Sequence, residues 1–246
     1  MSDVVALLDA EGSFATFREA FRVDDDERWR LPFHVFLVRD GDSTVLVDTG
    51  VGPPDGADPF LPERQGRLPD ELARVGVRPE DVDLVVLTHL HVDHVGWNMR
   101  GGSPFFPNAR YVAHEEDYAW VASTRLNRPY VRENVFALYE AGRLELVQGP
   151  WRVGDVELIP MPGHTPGHCI ADAGDVTLLG DLAVHELQLA DPDLAYVGEE
   201  DAGAAAEQRR RLLPGLATSG RIVGLAHLGL GRVVAAGEGF GWRPSN

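Results

Sequence analysis

At 246 residues, with 44% hydrophobic and 25% charged content, the chain has the composition of a globular protein long enough to bury a real core. Its formal net charge is −17 and all 22 basic residues are arginine, an acidic balance that argues against binding a phosphate backbone. The single cysteine, Cys169, excludes an intramolecular disulfide and a cysteine-rich zinc cluster.

The opening, MSDVVALLDAEG, lacks a basic n-region and does not read as a signal peptide. No apolar run reaches the length of a membrane span, so a cytoplasmic protein is the default expectation. After the charged turn VDDDERWR, the first convincing strand is HVFLV (34–38), and STVLVDTG (43–50) returns from it as a hairpin ending in a glycine-rich loop. The segment VGPPDGADPFLPERQGR (51–67) is too long for a plain connection, and loops of that length are often functional.

LPDELARVGV (68–77) reads as a short helix. DLVVL (83–87) has no polar alternation, as expected of a strand covered on both faces. ARYVA (109–113) predicts another strand, HEEDYAWVAS a helix, and VRENVFALYEAG (131–142) a second helix with a glycine stop. LELV, DVELIPM, HCIADA and VTLLG return to strands. The stretch EEDAGAAAEQRRRLLPGL (199–216) predicts a helix whose interior ends before Pro214, and RIVGLA and GRVVAAGEGFGW close the chain as strands. With no linker and no repeat, the pattern suggests two sheets packed together under helices, although pattern alone does not separate this from a doubly wound sheet.

The densest chemistry is THLHVDHVGW (88–97), directly after DLVVL. Residues two apart on an extended segment share a side, so His89, His91 and Asp93 face one way while His94 points elsewhere. Two imidazoles can chelate one ion, and a carboxylate with a differently directed histidine can serve a second. Imidazole nitrogen with carboxylate oxygen suits zinc, and also manganese, iron or cobalt. A chance cluster of polar loop residues rarely assembles this spacing where a buried strand ends. A purely structural zinc site more often has a closed shell with cysteine. Further ligands stand at the tips of later apolar strands: His164 in PMPGHTPGHC, Asp181 in LLGD and His227 in GLAHLG.

From VLVDTG through THLHVDH, PGHTPGH and LLGD to AHLG, the chain resembles the metallo-β-lactamase-fold hydrolase superfamily, nearest its lactonase and methyl-parathion-hydrolase-like branch. The resemblance implies an α/β fold, a four-layer αββα sandwich with mixed sheets, as a single domain over residues 1–246. It implies that His89, His91 and His164 hold one metal, that Asp93, His94 and His227 hold the other, and that Asp181 bridges both. Asp48 of VDTG would orient ligands from outside. In the true β-lactamases with a cysteine ligand, that cysteine would stand where Asp181 is. Homoserine-lactone lactonases commonly carry a tyrosine three positions after the bridging aspartate, and here that position is Val184.

The implied activity is hydrolysis of a lactone, ester or related small, partly apolar substrate by a metal-bridging hydroxide, with Asp181 and Asp93 as the catalytic carboxylates. Asp93, with water, would protonate the leaving group. Trp97, Phe60, Phe105, Phe106 and His185 are expected to wall the substrate pocket, with core packing as the plainer role. His168, His34 and His114 are expected to hydrogen-bond locally, and Cys169 to be a small buried apolar group. The cofactors expected are two divalent ions, zinc foremost, and the partner a small-molecule substrate. Nucleic acid and membrane are not expected as partners, and a homodimer is an open option. A mononuclear oxygenase or biosynthetic enzyme, or a phosphotriester or thioester hydrolase, is the alternative on the same ligand set.

Overall fold

Apart from a small hairpin, Met99–Arg100 with Ser103–Pro104, strands accumulate in two sets, and each set is laid out in chain order. β1 (Asp3–Gly12), β2 (Leu31–Asp40), β3 (Ser43–Val47), β4 (Leu84–Val86), β5 (Arg110–His114) and β6 (Leu144–Val147) form a six-stranded sheet in that sequence. β7 (Trp151–Val153), β8 (Val156–Pro160), β9 (Cys169–Ala173), β10 (Val176–Leu178), β11 (Ile222–Leu225), β12 (Gly229–Ala236) and β13 (Gly239–Pro244) form a seven-stranded sheet in the same manner. Both are mixed: β3 to β6 run parallel beside an antiparallel β1–β2–β3 meander, and β10–β11 is the parallel pair of the second sheet. The structure, a computed structural model, describes residues 3–13, 15–53, 65–125 and 128–245.

Three buried layers separate four structural ones. In β2, Val35 and Leu37 face outward to a layer that includes Leu68, Leu72, Val121 and Val135 from the helical segments, while Phe36 and Val38 face inward. That inner layer joins Val45, Val47, Val86 and Val112 of the first sheet to Leu158, Cys169, Ala171 and Leu178 of the second. Leu213 and Leu216 of the helix Ala202–Ser219 cover the far face through Val223, Leu225 and Val233. The αββα sandwich follows from strands that are apolar on both faces and so need a partner on each.

The structure departs from the sequence expectations in a few places. The segment before the charged turn is itself a strand, β1, paired antiparallel with β2. The helix over residues 131–142 begins as a π-helical turn, Val131–Phe136, before the α-helical Ala137–Glu140. The helix Ala202–Ser219 does not end before Pro214 but runs through it. Pro214 is exposed, so the carbonyl it leaves unpaired can be hydrated, while buried Leu213 and Leu216 hold both flanks against the sheet. No helix among the described residues is long and apolar enough to cross a membrane.

The sandwich gathers loops at one edge. β3 runs into Asp48, β4 into Thr88–His94, β8 into the loop 163–168, β10 into Asp181 and β11 into His227. β4 thus delivers four polar side chains of the site, His89, His91, Asp93 and His94, and β8, β10 and β11 one each.

Candidate metal centre

Seven side chains meet at this edge in two groups. In the first, His91 Nδ1 lies 3.0 Å from His89 Nε2 and 2.9 Å from His164 Nε2. Burial, more than the neighbouring rings, holds His89 and His164 well below the usual histidine range and brings His91 down to about 4. Neutral imidazoles carry one N–H each, so three converging nitrogens cannot satisfy one another. In the second, Asp181 Oδ1 is 3.4 Å from His94 Nε2, and Asp181 Oδ2 is 3.3 Å from His227 Nε2. Asp93 Oδ2 stands 3.7 Å from both of those histidine nitrogens. Asp181 Oδ2 also lies 3.4 Å from His164 Nε2, so this carboxylate touches both groups.

The ligand atoms in each group lie within 4.8 Å of one another, close enough for each group to hold a metal ion. His94 Nε2 and Asp181 Oδ1 are buried without a hydrogen-bond partner although they face each other. A cation is the partner such a set of nitrogen and oxygen donors fits. Burial opposes charge on Asp181, but the adjoining His227 and His94 carry it well below the usual carboxylate range. Burial likewise lowers His94, and the carboxylates of Asp181, Asp48 and Asp93 outweigh it and raise that ring.

A surrounding set of hydrogen bonds fixes which ring nitrogen faces the centre. His94 Nδ1 donates to Asp48 Oδ2 at 2.8 Å, and His227 Nδ1 to the Pro32 carbonyl at 2.9 Å, which leaves each Nε2 as the nitrogen that faces the centre and would bind a cation. Asp48 also accepts from Thr88 N and Thr88 Oγ1, both at 2.8 Å. It does so from a left-handed backbone, φ 64°, one of two non-glycine residues in that region among those described. His168 is near the centre but in neither group: its Nδ1 donates to Met161 O at 3.0 Å and its Nε2 accepts from Asp181 N at 3.1 Å. It therefore seats the backbone of the shared aspartate. His34 hydrogen-bonds to Ala226 O, and His114 caps the helix Glu115–Thr124.

Beside the two groups opens a cavity of about 320 Å³. Leu31, Phe33, Tyr130, Tyr196 and Val197 give it an apolar wall, and Arg125, Arg128 and Glu200 a charged side. Asp93, Asp181, His91, His164 and His227 form its floor. The Tyr196 ring lies parallel to His164 at 6.2 Å between centroids. Burial, reinforced by the charges of Asp93 and Asp181, pushes its phenol well above the usual range, so it stays protonated.

The protein-family model described as the metallo-beta-lactamase superfamily matches residues 29–216. The chain belongs to this superfamily. Among its relatives, the N-acyl homoserine lactonase AiiB of Agrobacterium fabrum is 30% identical over 123 residues, which cover 44% of this chain and 43% of that protein. The chain spans about half the length of the curated relatives it matches. Two solved structures share its fold over the whole chain: AbOPH, a hydrolase in the beta-lactamase superfamily, and AidC, a dizinc quorum-quenching lactonase. Each superposes with a TM-score of 0.84, at 23% and 20% identity, covering 94% and 95% of those chains.

In this metallo-β-lactamase fold, the expected pocket wall is not the observed one. Trp97 and Phe106 are buried in the layer between the first sheet and its helices, with Phe105 packed against them. Trp97 Nε1 donates to Asp9 at 3.1 Å, which turns the ring away from the cavity. His185 sits edge-on to Phe17 and Trp29, at 5.1 and 5.7 Å, and accepts from Leu187 N. Trp97 and Phe106 belong to the core, Phe105 and His185 are half-buried, and none of the four lines the cavity. Phe60 lies outside the described residues. Val184 is buried in an apolar cluster with Phe21, Trp29 and Val51. Tyr196 and the start of β2 wall the cavity instead, and no periodicity or spacing singles them out.

Proposed function

We propose that this chain is a binuclear metal-dependent hydrolase that opens a lactone, or cleaves a comparable ester, in a small and partly apolar substrate. The observation that carries the reading is Asp181, whose carboxylate contacts ligands of both groups at the floor of a cavity with an apolar wall. Two bound divalent ions would supply a hydroxide near neutral pH and polarise the substrate oxygen. The nitrogen and oxygen donors favour zinc, with manganese, iron or cobalt as alternatives. The lactonase names of the relatives support the same substrate class.

The chain's own residues have separable tasks. His94 and His227 offer Nε2 to a bound cation because their Nδ1–H groups donate to Asp48 and to the Pro32 carbonyl. Tyr196, held protonated beside the two carboxylates, donates a hydrogen bond to the oxygen on which charge develops. Asp93 is the partly exposed carboxylate of the second group and lines the cavity, so it can pass a proton to the departing oxygen. Leu31, Phe33 and Val197 take up the apolar part of the substrate and exclude water from it.

Metal quantification on the purified protein, coupled to a panel of lactones, aryl esters, thioesters and phosphotriesters, tests this. Two ions per chain and preferential turnover of lactones or esters are the expected result. One iron per chain with oxygen consumption, or turnover of the phosphotriesters alone, would replace this reading.

A further inference from the structure

We infer that Asp117 is a positioning residue that sets the geometry of the three-histidine group by tying its two loops together. The inference rests on the reading of that group as a metal site. His89 and His91 stand on the loop after β4 of the first sheet, whereas His164 stands on the loop after β8 of the second. His91 Nδ1 comes within 3.0 Å of both His89 Nε2 and His164 Nε2 only if those loops keep one relative position.

Asp117 spans them directly. Its Oδ2 accepts from Leu90 N at 2.7 Å, between the two histidines of the first loop. Its Oδ1 accepts from Gly167 N at 2.8 Å, on the loop that carries His164. The side chain is fully buried, in the first turn of the helix Glu115–Thr124. The same helix sets Trp120 edge-on to His91, with ring centroids 5.4 Å apart.

The second loop is shaped to reach this carboxylate. A Cβ at Gly167 would come within 2.4 Å of Asp117 N, and one at Gly163 within 2.3 Å of Ala205 N. Glycine at both positions lets the loop lie against the first turns of two helices, one carrying Asp117 and the other beginning at Ala202. Asp201 N also donates to Gly163 O and Glu200 N to His164 O, which pins the loop from the other side. One further link between the ligand loops, Cys169 N to Thr88 O at 2.8 Å, is backbone alone. Asp117 adds a side chain that bonds to the backbone of both loops.

The variant D117N keeps size and one acceptor but turns an amide N–H₂ toward one of the two backbone N–H groups. It should lose about ten- to a hundredfold in affinity at the three-histidine group. Cobalt titration with a competing chelator measures this, and the visible absorption of bound cobalt reports the coordination. G167A keeps the carboxylate but forces the loop off it, and should give the same selective loss if D117N does not fold. D9N removes another buried carboxylate, one that accepts from Val51 N, Leu68 N and Trp97 and bonds to neither loop of the three-histidine group at its ligands, and should leave cobalt affinity at that group unchanged. Wild-type affinity and spectrum in D117N, or an equal loss in D9N, would overturn the inference. The readout is metal retention, so a chain that hydrolyses no lactone or ester yet shows the selective loss supports the clamp and defeats the substrate reading.

Discussion

Asp48→Asn isolates what one carboxylate does for the second ligand group. The backbone at 48 is left-handed, and asparagine adopts that region readily, so the substitution leaves the loop in place. The carboxylate accepts three hydrogen bonds: Thr88 N on Oδ1, and Thr88 Oγ1 and His94 Nδ1 on Oδ2. An amide cannot accept on both sides. If its oxygen stays on Thr88 N, its N–H₂ meets His94 Nδ1–H, and the ring must move its proton to Nε2, removing the lone pair from the metal group. Affinity there then falls about ten- to a hundredfold, or about 1.4–2.8 kcal/mol. If the amide flips, the histidine is kept and a buried Thr88 N–H faces a donor instead, at about 1–3 kcal/mol of folding stability. Chelator-competition titration reads the first outcome and urea unfolding of the metal-free protein the second. A variant unchanged in both would refute the account of how the His94 tautomer is set.

Asp181→Asn removes the carboxylate shared by the groups, and at least about a hundredfold of activity should go with it, together with retention of one or both ions by elemental analysis. Tyr196→Phe should lower kcat about a hundredfold with metal content unchanged; equal kcat would take the phenol out of the reaction. Burial raises Asp9 from 3.8 to about 6 against the pull of the N–H groups of Val51, Leu68, Trp97 and Arg67, so the folded chain resists its ionisation. The stability this group contributes is full below about pH 4 and is lost as pH rises to about 6, a window worth about 3 kcal/mol. In urea unfolding, the margin of wild type over Asp9→Asn should shrink across that window, and a constant margin would contradict the raised value.

Three of the candidate ligands are legible in the sequence because each closely follows an apolar strand. His89 follows VVLT, Asp181 follows TLLG and His227 follows VGLA, and a polar group placed there has few roles in a core. The two-sheet sandwich is legible for a related reason. Strands such as LVV, buried on both faces, call for a covering layer on each. β1 is harder to read, since its burial along VVALLDAE is uneven and it shows neither alternation nor a continuous buried run. Pro214 misleads because a local rule about hydrogen bonding yields to packing on the opposite side of the helix.

The cavity wall is the least legible part, and the reason is long-range. Tyr196 takes its place in the wall because its loop is fastened by a buried network that no short window contains. Arg209 is fully buried; it pairs with Glu199 and donates to the carbonyls of Pro192 and Leu194, at 2.8 and 3.1 Å. Glu199 in turn accepts from Gln188 Nε2 at 2.9 Å and from Tyr196 N at 3.1 Å. Gln188 reaches back to accept from Val184 N at 2.9 Å. The segment between Asp181 and the helix Ala202–Ser219 is thus drawn down onto an ion pair, with Val184 turned into the apolar cluster and Tyr196 beside His164. An aromatic near a ligand motif in sequence, such as Trp97, is carried into the core by its own loop. An aromatic whose position is set by a buried arginine on a later helix lines the cavity instead.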